Sequence, residues 1–121
     1  MAGKFSSTIY ASAARTATPT AVTRDVDRYR GCLVLIDVTA IAATPSVVPK
    51  IEGVTASGAV YAILTGAAIT ATGQTALKVY PGITAAANVA VSDVLPQKIK
   101  VTLTHGDADS ITYSVDLVLI P

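Results

Sequence analysis

Residues 98–120, KIKVTLTHGDADSITYSVDLVLI, decide the fold class. Lys98, Lys100, Thr102 and Thr104 alternate with Ile99, Val101, Leu103 and His105. Ile111, Tyr113, Val115, Leu117 and Leu119 then alternate with Thr112, Ser114 and Asp116. A period of two places successive side chains on opposite faces of an extended chain, so each half predicts a strand with one buried face. Residues 106–109 (GDAD) between them read as a hairpin loop.

The same rhythm extends upstream. Residues 32–41 place Cys32, Val34, Ile36, Val38 and Ala40 on one face and Leu33, Leu35, Asp37, Thr39 and Ile41 on the other. That pattern predicts a central strand covered on most of both sides. Residues 60–65 (VYAILT) lie between Gly58 and Gly66, and residues 76–80 (ALKVY) precede Pro81-Gly82, a pair suited to a type II turn. Both read as strands, with Tyr61, like Tyr113, facing the core. Pro49 makes residues 47–54 an edge strand at best. Residues 84–91 (TAAANVAV) lack a helix cap, contain Val89 and Val91, and read as loop. Residues 53–77 carry no charge and are long enough to cross a bilayer, but four glycines and scattered Ser and Thr divide them into strands and turns.

Residues 11–23 (ASAARTATPTAVT) have no periodic apolar face, and their threonines and Pro19 oppose a helix. They predict an extended arm over residues 1–29, of the kind that gains order against a partner or its own domain's edge. About six strands spaced roughly ten residues apart, without an amphipathic helix, predict an all-β chain. The expected architecture is a single-domain β-sandwich or jelly-roll-like barrel over residues 30–121, preceded by the arm.

Of the 121 residues 14% are charged, against about 25% in an ordinary soluble domain. So few charges cannot cover the surface, and part of it is expected to be covered by other subunits or a larger body. The net charge of +1 argues against a nucleic-acid binder. Residues 1–30 are nevertheless basic, with Lys4, Arg15, Arg24, Arg28 and Arg30 against Asp25 and Asp27. Cys32, the single cysteine, forms no intrachain disulfide and no metal site with only His105 for company. Ser6, Ser7 and Thr8 interrupt what would be the apolar core of a signal peptide, so a cytoplasmic origin is expected.

Chemistry is sparse. His105, Asp107 and Asp109 are the only compact titratable group, and as hairpin residues they favour a structural turn over catalysis or metal binding. Cys32 inside an apolar strand reads as a core thiol. No nucleophile elbow, phosphate-binding loop, dinucleotide fingerprint or zinc-protease motif occurs, and Glu52 is the only glutamate. No enzyme activity, cofactor, metal or small-molecule substrate is expected. The charge-dense residues 24–30 (RDVDRYR) read equally as a docking surface or as a solvated face held by internal ion pairs, while Asp25 and Asp27 oppose phosphate binding.

Residues 43–48 (ATPSVV), Ile51-Glu52-Gly53, Tyr61, Leu64, residues 67–69 (AAI) and Val79-Tyr80-Pro81-Gly82 form a set of phrases. Leu95-Pro96 then run through Val101, His105, Asp107 and Asp109 to residues 110–115 (SITYSV). Over residues 30–118 the set resembles small proteins encoded among the head and structural genes of tailed bacteriophages. The resemblance implies a β-sandwich or jelly-roll decoration or cement protein, trimeric by preference, that binds the major capsid protein outside the assembled shell. It carries no catalytic residues. In that group the turn after Glu-Gly is often longer and more charged than residues 54–59 here (VTASGA). The expected contact residues are those of the basic arm and its junction: Lys4, Phe5, Tyr10, Arg15, Arg24, Arg28, Tyr29 and Arg30. Alternatives are a tail, neck or head-completion subunit and a host- or carbohydrate-binding module. Neither a nucleic acid nor a membrane is an expected partner.

Overall fold

Nine strands organise residues 5–121, the part of the chain that this computed structural model describes. In order they are β1 (Phe5–Arg15), β2 (Val22–Asp25), β3 (Gly31–Ile41), β4 (Val47–Val54), β5 (Val60–Thr65), β6 (Gly73–Val79), β7 (Ala90–Val91), β8 (Lys98–His105) and β9 (Ile111–Ile120). The described residues contain no helix.

The strands form a five-stranded sheet, β1-β9-β3-β6-β7, and a four-stranded sheet, β2-β8-β4-β5. β4 pairs with β5, β3 with β6, β2 with β8 and β1 with β9, all antiparallel. The chain is therefore one long antiparallel ribbon whose rungs fall alternately into the two sheets, which is the jelly-roll order. β7 is a short addition parallel to β6. The ribbon's tip is the turn over residues 55–59. There the Thr55 N–H donates to the Ala59 carbonyl at 2.9 Å, the Gly58 N–H donates to the Thr55 carbonyl at 2.9 Å, and Gly58 adopts φ +87°. A positive φ of that size is open to glycine at no steric cost.

Between the sheets lies one apolar core. Val34, Ile36, Leu77, Val115 and Leu117 come from one inner face, and Val47, Ile51, Ile99, Val101 and Leu103 come from the other. Full burial of each such side chain contributes about 1.5–3 kcal/mol. The strict alternation of buried and half-buried residues along β4 and β9, and from Ile99 to Leu103 in β8, is what the period of two predicts.

Several expectations change. β8 and β9 do not pair as a hairpin: β8 lies between β2 and β4, and β9 lies between β1 and β3. Side by side in one sheet, their apolar faces would both point the same way and need a further layer. By crossing between sheets they cover each other. Residues 47–54 are likewise not an edge, since β4 runs between β8 and β5. Pro49 is tolerated because its missing donor faces the side where β5 has already ended. There the chain swings out between the Gly66 N–H bond to the Pro49 carbonyl at 2.8 Å and the bridge from Val47 to Ile69. Ala90–Val91, expected in a loop, form β7 because the Lys78 N–H donates to the Val89 carbonyl at 2.8 Å and draws the segment alongside β6.

The described part of the expected arm, residues 5–29, supplies two strands and a turn and lies on the domain's own edges. β1 borders one sheet against β9 and β2 borders the other against β8. Tyr113 is fully buried as expected, whereas Tyr61 remains 42% exposed. Tyr61 sits at the open edge of β5, with its ring over Gly53, where a side chain as small as a methyl group would collide with it.

Leu117 is 1% exposed in β9, between β1 and β3. Leu117→Ala should destabilise the fold by about 2–5 kcal/mol in urea denaturation, through lost burial and the cavity left behind.

Candidate interaction surface

At one end of the sandwich the residues singled out for chemistry act as fasteners between connections. The His105 backbone N–H donates to Thr18 Oγ1 at 2.9 Å, and the Gly106 N–H donates to the Ser46 carbonyl at 2.8 Å. Asp109 Oδ2 accepts from the Thr44 N–H at 3.1 Å, and Asp107 Oδ1 accepts from the Asp109 N–H at 3.1 Å. Three connections, before β2, before β4 and before β9, are tied together by these bonds. His105 Nε2 lies 3.0 Å from the Tyr113 hydroxyl. Burial, with the charge of Arg15, holds the His105 pKa below its ordinary value, while Asp107 opposes the shift. Cys32 is buried in β3 and its thiol is pushed up to about 12 by desolvation, which removes the thiolate a nucleophile needs.

Tyr10 and Arg15, two of the expected contact residues, are used internally. β1 carries an extra residue between Tyr10 and Ala13 relative to β9, a bulge that leaves carbonyls without ladder partners. The Arg15 guanidinium fills the gap, donating to the Tyr113 carbonyl at 2.6 Å, the Ala11 carbonyl at 2.7 Å and the Ala13 carbonyl at 3.2 Å. Its Cζ lies 4.4 Å from the Tyr113 ring centroid and 5.6 Å from that of Tyr10. The Tyr10 hydroxyl donates to the Thr20 carbonyl at 2.7 Å, stitching β1 to the segment that leads into β2. Burial raises the pKa of both tyrosines, that of Tyr113 to about 12, against the opposing charge of Arg15.

The remaining expected residues gather at the opposite end, except Lys4, which lies outside the described residues. Phe5 opens β1 opposite Leu119 and is exposed. Val26 anchors residues 24–30: it is fully buried, and its N–H donates to the Gln97 carbonyl at 2.7 Å. Tyr29 packs partly on the core, while Arg24, Arg28 and Arg30 are exposed. Arg30 stands 5.8 Å from the Tyr80 ring centroid. Among the described residues the one ion pair is Lys50–Glu52 at 4.0 Å, so no internal pairing holds the charges of residues 24–30.

The outer faces of the two sheets differ, which sequence reasoning missed. On the four-stranded sheet, cross-strand neighbours alternate in sign, with Asp25 beside Lys98 and Lys100 beside Glu52. On the five-stranded sheet, Val118, Leu33 and Lys78 form one row, and Asp116, Leu35 and Ala76 form the next. Leu33, Leu35, Val118 and Ile120 are half-buried there, and among the described residues no strand packs above them. The alternate apolar positions of residues 32–41 carried that signal. A groove of about 460 Å³ lined by Leu33, Tyr80, Pro81, Ile83 and Ile120 continues this apolar strip towards the Arg30 end.

Compared with known protein families, with curated proteins and with solved structures, the chain matches none of them.

Arg15→Met keeps the packing stem but strands the carbonyls of Ala11 and Tyr113, and should cost about 1–3 kcal/mol in thermal or urea unfolding. The His105 pKa in the folded chain lies below the 6.5 of the unfolded chain, so the unfolded chain takes up the proton first as pH falls. This contribution to stability is complete above the unfolded value and declines below it. Unfolding free energies measured between about pH 7.5 and 5.5 should therefore fall with acid, and His105→Gln should flatten that slope.

Proposed function

We propose that this chain is a non-enzymatic structural protein of a tailed-phage particle, a decoration protein that binds the outside of the capsid and bridges major capsid subunits. The observation that carries the bridging role is the outer face of the five-stranded sheet. Leu33, Leu35, Val118 and Ile120 form an apolar strip on a chain with few charges, and such strips mark surfaces that another protein covers. The resemblance over residues 30–118 supports the choice of partner. A structural role is supported by the use of the chemically capable groups in packing: Cys32 is buried, His105 is bonded to Tyr113, and Asp109 holds Thr44. The jelly-roll order alone decides nothing, since that fold serves capsid, lectin and enzyme domains alike.

A bridge of this kind works by mass action. A protein that binds only the assembled shell stabilises each site by about 2.7 kcal/mol at a hundredfold excess over its Kd. Repetition over a closed shell multiplies the effect. The chain would be made in the bacterial cytoplasm and added to the outer surface.

Quantitative mass spectrometry of purified particles tests the role through copy number. Hundreds of copies in a simple ratio to the capsid protein are expected, and a dozen or fewer would move the chain to the neck or tail. Because β1 is a sheet strand, the contact is tested by a point change. Leu35→Lys, set between Asp37 on its own strand and Asp116 opposite, should leave the fold intact and weaken shell binding by about tenfold or more.

A further inference from the structure

Charge is distributed unevenly over the fold. Between Gly53 and Ser92 the only charged residue is Lys78, and that stretch supplies β5, β6 and β7. These strands form one flank of the sandwich, with β7 against β5. Lys78 itself lies beside Leu33 on the outer face of the five-stranded sheet, off the flank's edge. Val60 at 46%, Tyr61 at 42% and Val89 at 45% are exposed on or beside this uncharged flank.

The sheet edges point to the same place. An unpaired edge invites another strand unless something blunts it. β1 is interrupted by two bulges and carries the charge of Arg15. β2 is four residues long and bears Arg24 and Asp25, and β7 is two residues long. β5 and residues 73–77 of β6, beyond the reach of β7, have neither charge nor proline, and of these two edges only β5 exposes large apolar side chains, Val60 and Tyr61. Its bulge at Ile63 turns Ile63 and Leu64 into the core and leaves residues 60–62 as a straight edge.

We infer that this flank is a self-association surface in which β5 of one copy pairs antiparallel with β5 of a second copy, about a two-fold axis at Tyr61. The backbone is set for it. The Thr55 N–H bonds the Ala59 carbonyl and the Gly66 N–H bonds the Pro49 carbonyl, so the odd-numbered residues of β4 turn their peptide groups towards β5. Tyr61, opposite Gly53, turns its own back to β4, and the alternation of an antiparallel strand then points the N–H and C=O groups of Val60 and Ala62 outward. With Tyr61 facing its copy, Val60 meets Ala62 of the second copy and the two exchange both backbone bonds, once on each side of the axis. A second copy is the occupant because the outward groups of Val60 and Ala62 match themselves about a two-fold axis, and because two uncharged flanks meet without repulsion. Pairing of identical edges closes at two copies, where the phage resemblance implies three. The inference stands independently of the capsid reading.

Sedimentation velocity on the purified full chain, as a dilution series, tests it. Wild type should sediment as a dimer that dissociates on dilution. Val60→Lys, which places like charges across the axis, and Ala62→Pro, which removes an outward donor, should each weaken the dimer by about tenfold or more, with a thermal midpoint equal to that of wild type at a dilution where both are monomeric. Wild type that stays monomeric, a trimer, or a dimer indifferent to both variants would overturn the proposal. Should a variant lose its fold, hydrogen exchange on wild type decides: slow exchange at Val60 and Ala62 that is lost on dilution supports the pairing, and equal exchange at both concentrations refutes it. Protection of these amides on capsid shells alone would assign the edge to another protein and reject the second copy.

Discussion

β9 runs between β1 and β3, and its Ile111, Tyr113, Val115, Leu117 and Leu119 all face inward. Everything else in the five-stranded sheet takes its register from that row, because a slip of one residue would send every one of those side chains outward. The same row fixes the other sheet. It needs an apolar surface opposite it, which Ile99, Val101 and Leu103 of β8 supply after the chain has crossed over. Two strands joined by a short connection thus sit in different layers because each is the other's cover. Tyr113 shows how tightly the constraint is drawn: its ring is buried, its hydroxyl meets His105, and its carbonyl is held by Arg15.

The charged residues divide into those that serve the fold and those that remain on the surface. Arg15 repairs a bulge with carbonyl bonds and ring faces, Asp109 holds a neighbouring connection, and Glu52 accepts from Thr102 at 3.0 Å. Arg24, Arg28 and Arg30 remain exposed at one end. The two outer faces have taken opposite characters, one a chequer of lysines and carboxylates, the other an aliphatic strip. A domain with unlike faces presents a definite side to whatever it binds.

The positions of β3, β4, β5, β6, β8 and β9 were legible in the sequence because alternation and bounding turns mark them, whereas β1 and β2 read as an arm and β7 as a loop. Alternation does not record which strand lies beside another, and for that reason β8 and β9 looked like a hairpin. Pro49 looked like an edge marker because a missing donor is visible in a sequence, while the early end of the neighbouring strand that makes it harmless is not. The first strand was hidden by its small side chains: among Ser6, Ser7, Thr8 and the alanines around Arg15 only Ile9 and Tyr10 bury apolar bulk, Phe5 being exposed, and that suffices at an edge. For the surfaces, residue type does not separate outward use from inward use. Arginines and tyrosines near the start looked like contacts, yet Tyr10 and Arg15 are spent inside the molecule. The aliphatic outer row of β3 was visible as a second apolar face, but an apolar face with no sheet above it reads the same as one that is covered.

The ribbon also imposes an order in time. Its tip, β4 with β5, closes over a few residues and can form while the rest of the chain is still being made. β3 must then wait for β6, β2 for β8, and β1 for β9, where Phe5 finally meets Leu119 from the far end of the sequence. Closing such distant pairs is entropically slow, and folds dominated by them mature in milliseconds to seconds. On the ribosome the queue runs last in, first out: among these strands, the earliest synthesised is the last to find its mate.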